Sequence, residues 1–215
     1  MLKFAPEGYP FIAVFMALTA IAALVAVSMN VTMIPFALML ALTLFMLYFF
    51  RDPERSAPAG PGYLSPADGR IIVIKRMRED EYLHADSTKI SIFMSPLNVH
   101  VNRTPCDGTV VSVKHTPGGF SAAYKEEASL KNENIAMVYK CSGGKDILLR
   151  QIAGFVARRA VCRVKPGDTL RRGERYGMIK FSSRVDIYLP PDVDVKVKLD
   201  DTVKACETIL AAGAI

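Results

Sequence analysis

Between Glu7 and Arg51 the chain carries no charged side chain at all. A stretch of that length without charge cannot be an ordinary surface element, so it constrains the chain more than any other feature. Two apolar runs lie within it, Pro10 to Val27 and Met33 to Phe50, each close to the ~20 residues needed to cross a bilayer core. Ser28-Met29-Asn30-Val31-Thr32 separates them and is polar enough for a tight turn. The pattern predicts a two-helix transmembrane hairpin over residues 1–50. A cleaved signal peptide fits less well: Lys3 is a thin positive leader, the apolar stretch is too long, and a second run follows at once. Lys3 precedes the first run, Arg51, Arg55 and Arg70 follow the second, and the turn carries no Lys or Arg. The positive-inside rule then places both ends, and everything after them, on the cytoplasmic face of the inner cell membrane.

After Arg51 the composition becomes that of a water-soluble domain, expected over residues 51–215, with enough apolar residues for a modest core. The net charge of +6 permits nucleic acid, an anionic membrane or an acidic small molecule as partner. No basic helix interleaved with aromatics and no RNA-binding signature is present, so the reading is no nucleic acid. Cys106, Cys141, Cys162 and Cys206 form no C-x-x-C pair and have no histidine at zinc-ligand spacing. They read as reduced, buried thiols, and no metal site is expected.

Helical periodicity is scarce in this part. Ile71–Ile74, Lys89–Phe93, Thr109–Val113 and Ile135–Tyr139 read as short strands, while Arg184–Leu189 and Val193–Leu199 alternate as half-buried strands do. Turn signals separate them: Ala67-Asp68-Gly69, Cys106-Asp107-Gly108, Pro117-Gly118-Gly119, Ser142-Gly143-Gly144 and Pro166-Gly167-Asp168. The expected fold class is a mainly β (α+β) domain, with a short terminal helix over Lys204–Ala212. Lys165 to Ile179 looks like a hairpin of biotinyl and lipoyl domains, and Ser65 to Ile71 echoes their opening strand, so barrel-sandwich or lipoyl-like elements are expected.

Four segments carry the chemistry: Phe50-Arg51-Asp52-Pro53, Ser65-Pro66-Ala67-Asp68-Gly69, Phe93 to Arg103, and Phe181-Ser182-Ser183-Arg184-Val185-Asp186. Each alone is weakly specific. In this order, after an apolar hairpin, they resemble the short, membrane-anchored form of phosphatidylserine decarboxylase, over about Phe49 to Pro190.

The resemblance implies a self-processing proenzyme. The Ser183 hydroxyl would attack the carbonyl of Ser182, the resulting ester would eliminate, and hydrolysis would leave a pyruvoyl group at Ser183. Residues 1–182 would become the β chain and 183–215 the α chain. The pyruvoyl carbonyl would take up the amine of phosphatidylserine as a Schiff base and accept the electrons released with CO2, the electron-sink role that pyridoxal phosphate (PLP) plays elsewhere. No lysine motif for PLP is evident, which suits a built-in sink. His100 is the candidate proton donor, and Asp68 a base or an orienter of His100. Arg184 and Arg103 are candidates for the lipid carboxylate or phosphate, which a guanidinium matches. The blander readings stand beside these: Asp is common in such a turn for local reasons, a lone histidine in an apolar stretch is often a core residue, and either arginine could be a solvated strand end. His84 and His115 have no motif around them and read as surface residues. Partners beyond the membrane lipid reduce to the two chains of the same proenzyme, and a homo-oligomer is compatible with the sequence.

Two positions depart from the family pattern. Ser182 stands where the family has Gly, although bacterial histidine decarboxylase is processed between two serines. Arg103 stands where longer members carry a second histidine, so a triad built on that histidine does not transfer. A non-enzymatic alternative is a membrane-tethered adaptor with a lipoyl-like barrel, but the chain has no long heptad segment. A biotin or lipoate carrier would need an exposed lysine in its hairpin turn, and Tyr176-Gly177-Met178-Ile179 offers none.

Overall fold

The computed structural model describes residues 3–29, 32–119, 132–154, 159–181 and 183–213. Contacts divide the chain into two units, Met1–Glu54 and Arg55–Ile215.

In the first unit a single 3-10 turn, Pro6–Gly8, leads into α1 (Tyr9–Ser28), and α2 (Ile34–Phe49) follows. Pro6 to Ser28 forms one continuous apolar helical stretch of 23 residues, long enough to cross a membrane, whereas α2 is a shorter apolar helix of 16 residues. Thr19 and Thr43, facing each other between them, have their hydroxyl oxygens 2.8 Å apart, and the Thr43 hydroxyl lies 3.1 Å from the Phe15 carbonyl. Each hydroxyl is also within hydrogen-bonding distance of a carbonyl one turn back on its own helix, so its single proton has an acceptor without water. The two ends of this unit meet: Ala5 N–H donates to Phe50 O and Asp52 N–H to Lys3 O, both at 2.8 Å.

The second unit is built of strands. In chain order they are β1 (Tyr63–Leu64), β2 (Gly69–Glu79), β3 (Ala85–Met94), β4 (Val101–Arg103), β5 (Gly108–Thr116), β6 (Asn134–Cys141), β7 (Asp146–Ala153), β8 (Ala160–Cys162), β9 (Thr169–Leu170), β10 (Arg175–Ile179), β11 (Ser183–Leu189), β12 (Asp194–Val195), β13 (Thr202–Val203) and β14 (Ile209–Ala212). An eight-stranded sheet runs β13-β2-β3-β11-β7-β6-β5-β9, and two three-stranded sheets run β4-β10-β8 and β1-β14-β12.

Ile90, Ile92 and Met94 of β3, Leu149 and Ala153 of β7, and Val185, Ile187 and Leu189 of β11 point to one face of the large sheet and join the main apolar core. Cys106, Cys141 and Cys206 are buried free thiols, and Cys162 is half-buried. His84 and His115 are exposed.

Three expectations change. Lys204–Ala212 is not a helix: β13 pairs with β2 and β14 with β1, so cross-strand pairing overrides the helix propensity of an Ala-rich tail. Lys165–Ile179 is not one hairpin, because β9 joins β5 while β10 joins β4 and β8. Arg184–Leu189 is buried on both faces rather than one, since it is a central strand whose polar side is covered by charged partners.

Candidate active site

Ser183 opens β11, paired with Met94 on one side and Ala153 on the other. Its side chain is completely buried, and its hydroxyl reaches the Met94 sulfur at 3.4 Å, a weak acceptor. Asn102 of β4, also fully buried, directs its amide nitrogen at the same sulfur from 3.9 Å. Gln151 of β7 donates to the Asn102 amide oxygen at 2.8 Å and to the Val161 carbonyl at 3.3 Å. A thioether therefore meets the serine hydroxyl, and two amides continue the chain of contacts from that sulfur. A side chain as small as a pyruvoyl group fits this setting, which holds no charged group among these neighbours.

His100 immediately precedes β4, the strand that carries Asn102. Ser95-Pro96-Leu97-Asn98 folds into a turn closed by Asn98 N–H to Ser95 O at 2.9 Å. Proline suits the second position of such a turn, and the Asn98 amide oxygen accepts from both the N–H and the hydroxyl of Ser95. Asn98 then offers its carbonyl to Nδ1 of His100 at 2.9 Å. A carbonyl only accepts, so Nδ1 carries the proton in this contact and Nε2 is the basic nitrogen of the neutral ring. The His100 carbonyl accepts Ile179 N–H at 3.3 Å, which ties the histidine to the strand leading into Ser183. Between them lies Phe181 at φ 59°, a left-handed conformation that a bulky residue adopts at a cost. Ser182 lies outside the described residues.

The other expected site residues sit elsewhere. Asp68 is clasped by Arg55, with Arg55 Nη2 on Oδ2 at 2.7 Å and Nη1 on Oδ1, and Oδ1 also accepts Ala205 N–H at 2.8 Å. Arg55 Nη1 donates to the Ala205 carbonyl as well. The turn is near β4 through Arg103 N–H to Pro66 O at 2.9 Å, but the partners of the Asp68 carboxylate are Arg55 and Ala205. Gly69 follows because a Cβ there would lie 2.1 Å from the Phe93 carbonyl. Arg103 is buried and donates to the Gly173 carbonyl at 3.0 Å.

Arg184 points away from Ser183, to the opposite face of the sheet, as neighbours along a strand do. It is fully buried and grips Asp186 with two hydrogen bonds, 2.5 and 2.8 Å, while Lys89 Nζ lies 3.0 Å from the same carboxylate. Burial alone would push the Asp186 carboxyl up. The hydrogen bonds and charge of Arg184, together with Lys89, outweigh it and hold the group below its usual value. Lys89 is the weaker half: burial lowers its ammonium, Asp186 raises it, and the Arg184 charge lowers it again.

The sequence reading did not single out Met94, Asn102 or Gln151. Met94 and Asn102 stand inside a segment it did single out. Gln151 is separated from Asn102 by 49 positions and has no local signal.

A family model of phosphatidylserine decarboxylase matches residues 42–211. The chain is 46% identical over 207 residues to a phosphatidylserine decarboxylase proenzyme of Desulfotalea psychrophila, covering 96% of this chain and 94% of that one. The corresponding proenzyme of Pelobacter propionicus is 47% identical over 207 residues, covering 95% and 94%, and that of Nitrosomonas europaea 44% over 208 residues, covering 96% and 94%. Matches of this extent place the chain among carboxy-lyases made as proenzymes. It belongs to the phosphatidylserine decarboxylase family.

Proposed function

We propose that the chain cuts itself between Ser182 and Ser183, leaving a β chain 1–182 and an α chain 183–215, and then decarboxylates phosphatidylserine to phosphatidylethanolamine and CO2. The observation that carries this reading is the Ser183 hydroxyl, sealed at the head of a central strand with the left-handed Phe181 just upstream. In the cut, the Ser183 oxygen bonds to the Ser182 carbonyl carbon and the peptide C–N bond breaks, leaving an ester; loss of the Ser183 Cα proton then expels Ser182 as a carboxylate, and water displaces the nitrogen of the resulting dehydroalanine as ammonia. His100 Nε2 takes the hydroxyl proton and returns it to the released nitrogen. A pyruvoyl group at position 183, from Ser183 itself and without metal or PLP, would supply an electrophilic carbonyl that binds the lipid amine and draws off the electrons freed with CO2. His100 then delivers a proton to the substrate carbon.

The test is the intact mass of the purified protein with and without phenylhydrazine. A 183–215 fragment, blocked at its N-terminus and shifted by the reagent, supports the proposal; a single unshifted 23.6 kDa chain overturns it. His100→Gln keeps the size of the ring but cannot shuttle a proton, and is expected to slow appearance of the fragment by ~10²–10⁴-fold, the usual range for losing a general base.

Asp68 remains the second candidate for the base or for orienting His100, a role it reaches by exchanging Arg55 for the histidine. Arg184 and Arg103 meet the lipid headgroup only if opening of the 182–183 bond frees them from Asp186 and Gly173. Until then both hold the frame around the site.

The first unit is proposed to span the inner membrane as a hairpin, with the catalytic part on the cytoplasmic side. Its two ends meeting at Ala5 and Phe50 supports entering and leaving on one side. At ~1.5 Å per residue α2 reaches about 24 Å, so its flanking residues complete the crossing. Arg51, stacked 3.7 Å over the Tyr48 ring, would sit at the interface, where such pairs anchor helices. Arg55 and Arg172 serve the fold instead, on Asp68 and on the carbonyls of Pro58, Gly60 and Gly62. Removing residues 1–54 is expected to lower turnover on phosphatidylserine vesicles far more than on detergent-dispersed lipid. Equal turnover in both would refute the anchoring role. We read the sheets as a barrel-sandwich of the lipoyl-like kind, and association into a homo-oligomer is compatible with the exposed strands.

A further inference from the structure

Gln151 has a side chain that the self-cleavage steps do not use. It is 1% exposed and stands directly opposite Val185, so it leaves the sheet on the Ser183 face, one diagonal step from that serine. Its nitrogen faces the Asn102 amide oxygen and the Val161 carbonyl. A carbonyl can only accept, which fixes the orientation of the amide and identifies the other atom as oxygen. That oxygen, Oε1, is buried and receives no hydrogen bond among the described residues. Buried acceptors are rarely left so, because the lost hydration is not replaced. Strand β10 makes room for this side chain: a Cβ on Gly177 would lie 2.9 Å from the Gln151 nitrogen and 2.3 Å from the Val161 carbonyl.

The surroundings indicate a ligand rather than a packing fault. An open depression of about 480 Å³ is lined by Ile135, Val161, Cys162 and Arg159, with His115 and Glu133 also on its wall. Ile135 is the strand partner of Gln151, and Val161 is its hydrogen-bond acceptor. Two neighbours of the glutamine, though not Gln151 itself, thus line the depression.

We infer that Gln151 is a substrate-positioning residue whose Oε1 accepts an N–H of the serine amine of phosphatidylserine. The inference rests on the proposed function. The chemistry favours an amide here over a carboxylate. An amine must lose its proton before it can add to a carbonyl, and a carboxylate would hold it as ammonium, whereas a neutral oxygen orients it without fixing its charge.

The test uses the full-length, self-processed enzyme. Gln151→Met is expected to form the 183–215 fragment at the wild-type rate and with the wild-type phenylhydrazine titre. Its kcat/KM on phosphatidylserine vesicles should fall roughly 10–100-fold, the range for leaving a buried N–H donor without its acceptor. Cyanoborohydride trapping of the lipid amine on the 183–215 fragment, read by mass, should fall in parallel. Gln151→Glu restores an acceptor towards the amine, its second oxygen being met by the Asn102 amide turned over to present nitrogen, and is expected to bring KM back to or below the wild-type value while kcat stays low. Wild-type kcat/KM and trapping in the Met variant would overturn the inference, as would a Glu variant with KM as poor as that of Met. If the Met variant does not mature, the KM–kcat split of the Glu variant decides alone. Failure of the wild-type chain to yield a phenylhydrazine-reactive fragment would instead refute the proposed function.

Discussion

Ser183→Ala is expected to leave one uncut chain of 23.6 kDa with no reaction towards phenylhydrazine and no decarboxylation. The loss should be complete rather than graded, because both the attack and the later carbonyl depend on that single oxygen. The variant should fold normally. Among the described residues the hydroxyl contributes a 3.4 Å contact to the Met94 sulfur, and an alanine methyl fits the same buried space. Intact mass together with thermal unfolding checks both halves: an uncut chain that melts near the wild-type temperature is expected. A 183–215 fragment from the alanine variant would remove Ser183 from the chemistry.

Asp186→Asn is expected to have the largest effect on stability. It keeps the shape but leaves Arg184 fully buried without its counter-charge, and Lys89 close by. Breaking a buried pair in this way costs about 3–5 kcal/mol, or a fall in Tm of roughly 6–20 °C for a domain of this size. The pH dependence follows from the lowered carboxyl. A group whose folded value lies below its unfolded value of about 3.9 contributes stability that is fully present above that value. The contribution is lost as pH falls through the folded value. Wild-type Tm should therefore decline on acidification below about pH 4 more steeply than that of Asp186→Asn. Parallel curves would mean that Asp186 is not the group concerned. Because replacing such a pair by apolar residues is often neutral, the network is better understood as fixing which face of β11 carries Ser183 than as a net source of stability.

Much of this was legible in the residues. The two apolar runs between Gly8 and Phe50 contain α1 and α2, and Ile71–Ile74, Lys89–Phe93, Thr109–Val113 and Ile135–Tyr139 all lie within strands. β7 was not legible, because Arg150 and Gln151 interrupt its apolar run, and both are buried only by partners remote in sequence: Glu81 for Arg150 at 2.8 Å and Asn102 for Gln151. The Ala-rich tail was misread for the complementary reason, since its strand β14 exists through pairing with β1 and β12. Ser183 and His100 stand out within short motifs. That His100 is joined to the approach to Ser183 through Ile179 could not be read from spacing, because it depends on β4 and β10 lying side by side.

The segment after the proposed cut contributes β11, wedged between β3 and β7, and sends β13 and β14 to separate sheets. It therefore threads the fold instead of capping it. Once severed, this 183–215 piece is no longer covalently joined to α1 and α2, and would stay at the lipid surface only as long as its neighbours grip it. Self-cleavage would thus turn one unimolecular folding problem into a two-body one. The mature protein could be taken apart by denaturant, but its refolding should depend on concentration, so maturation behaves as a ratchet that the uncut chain passes once.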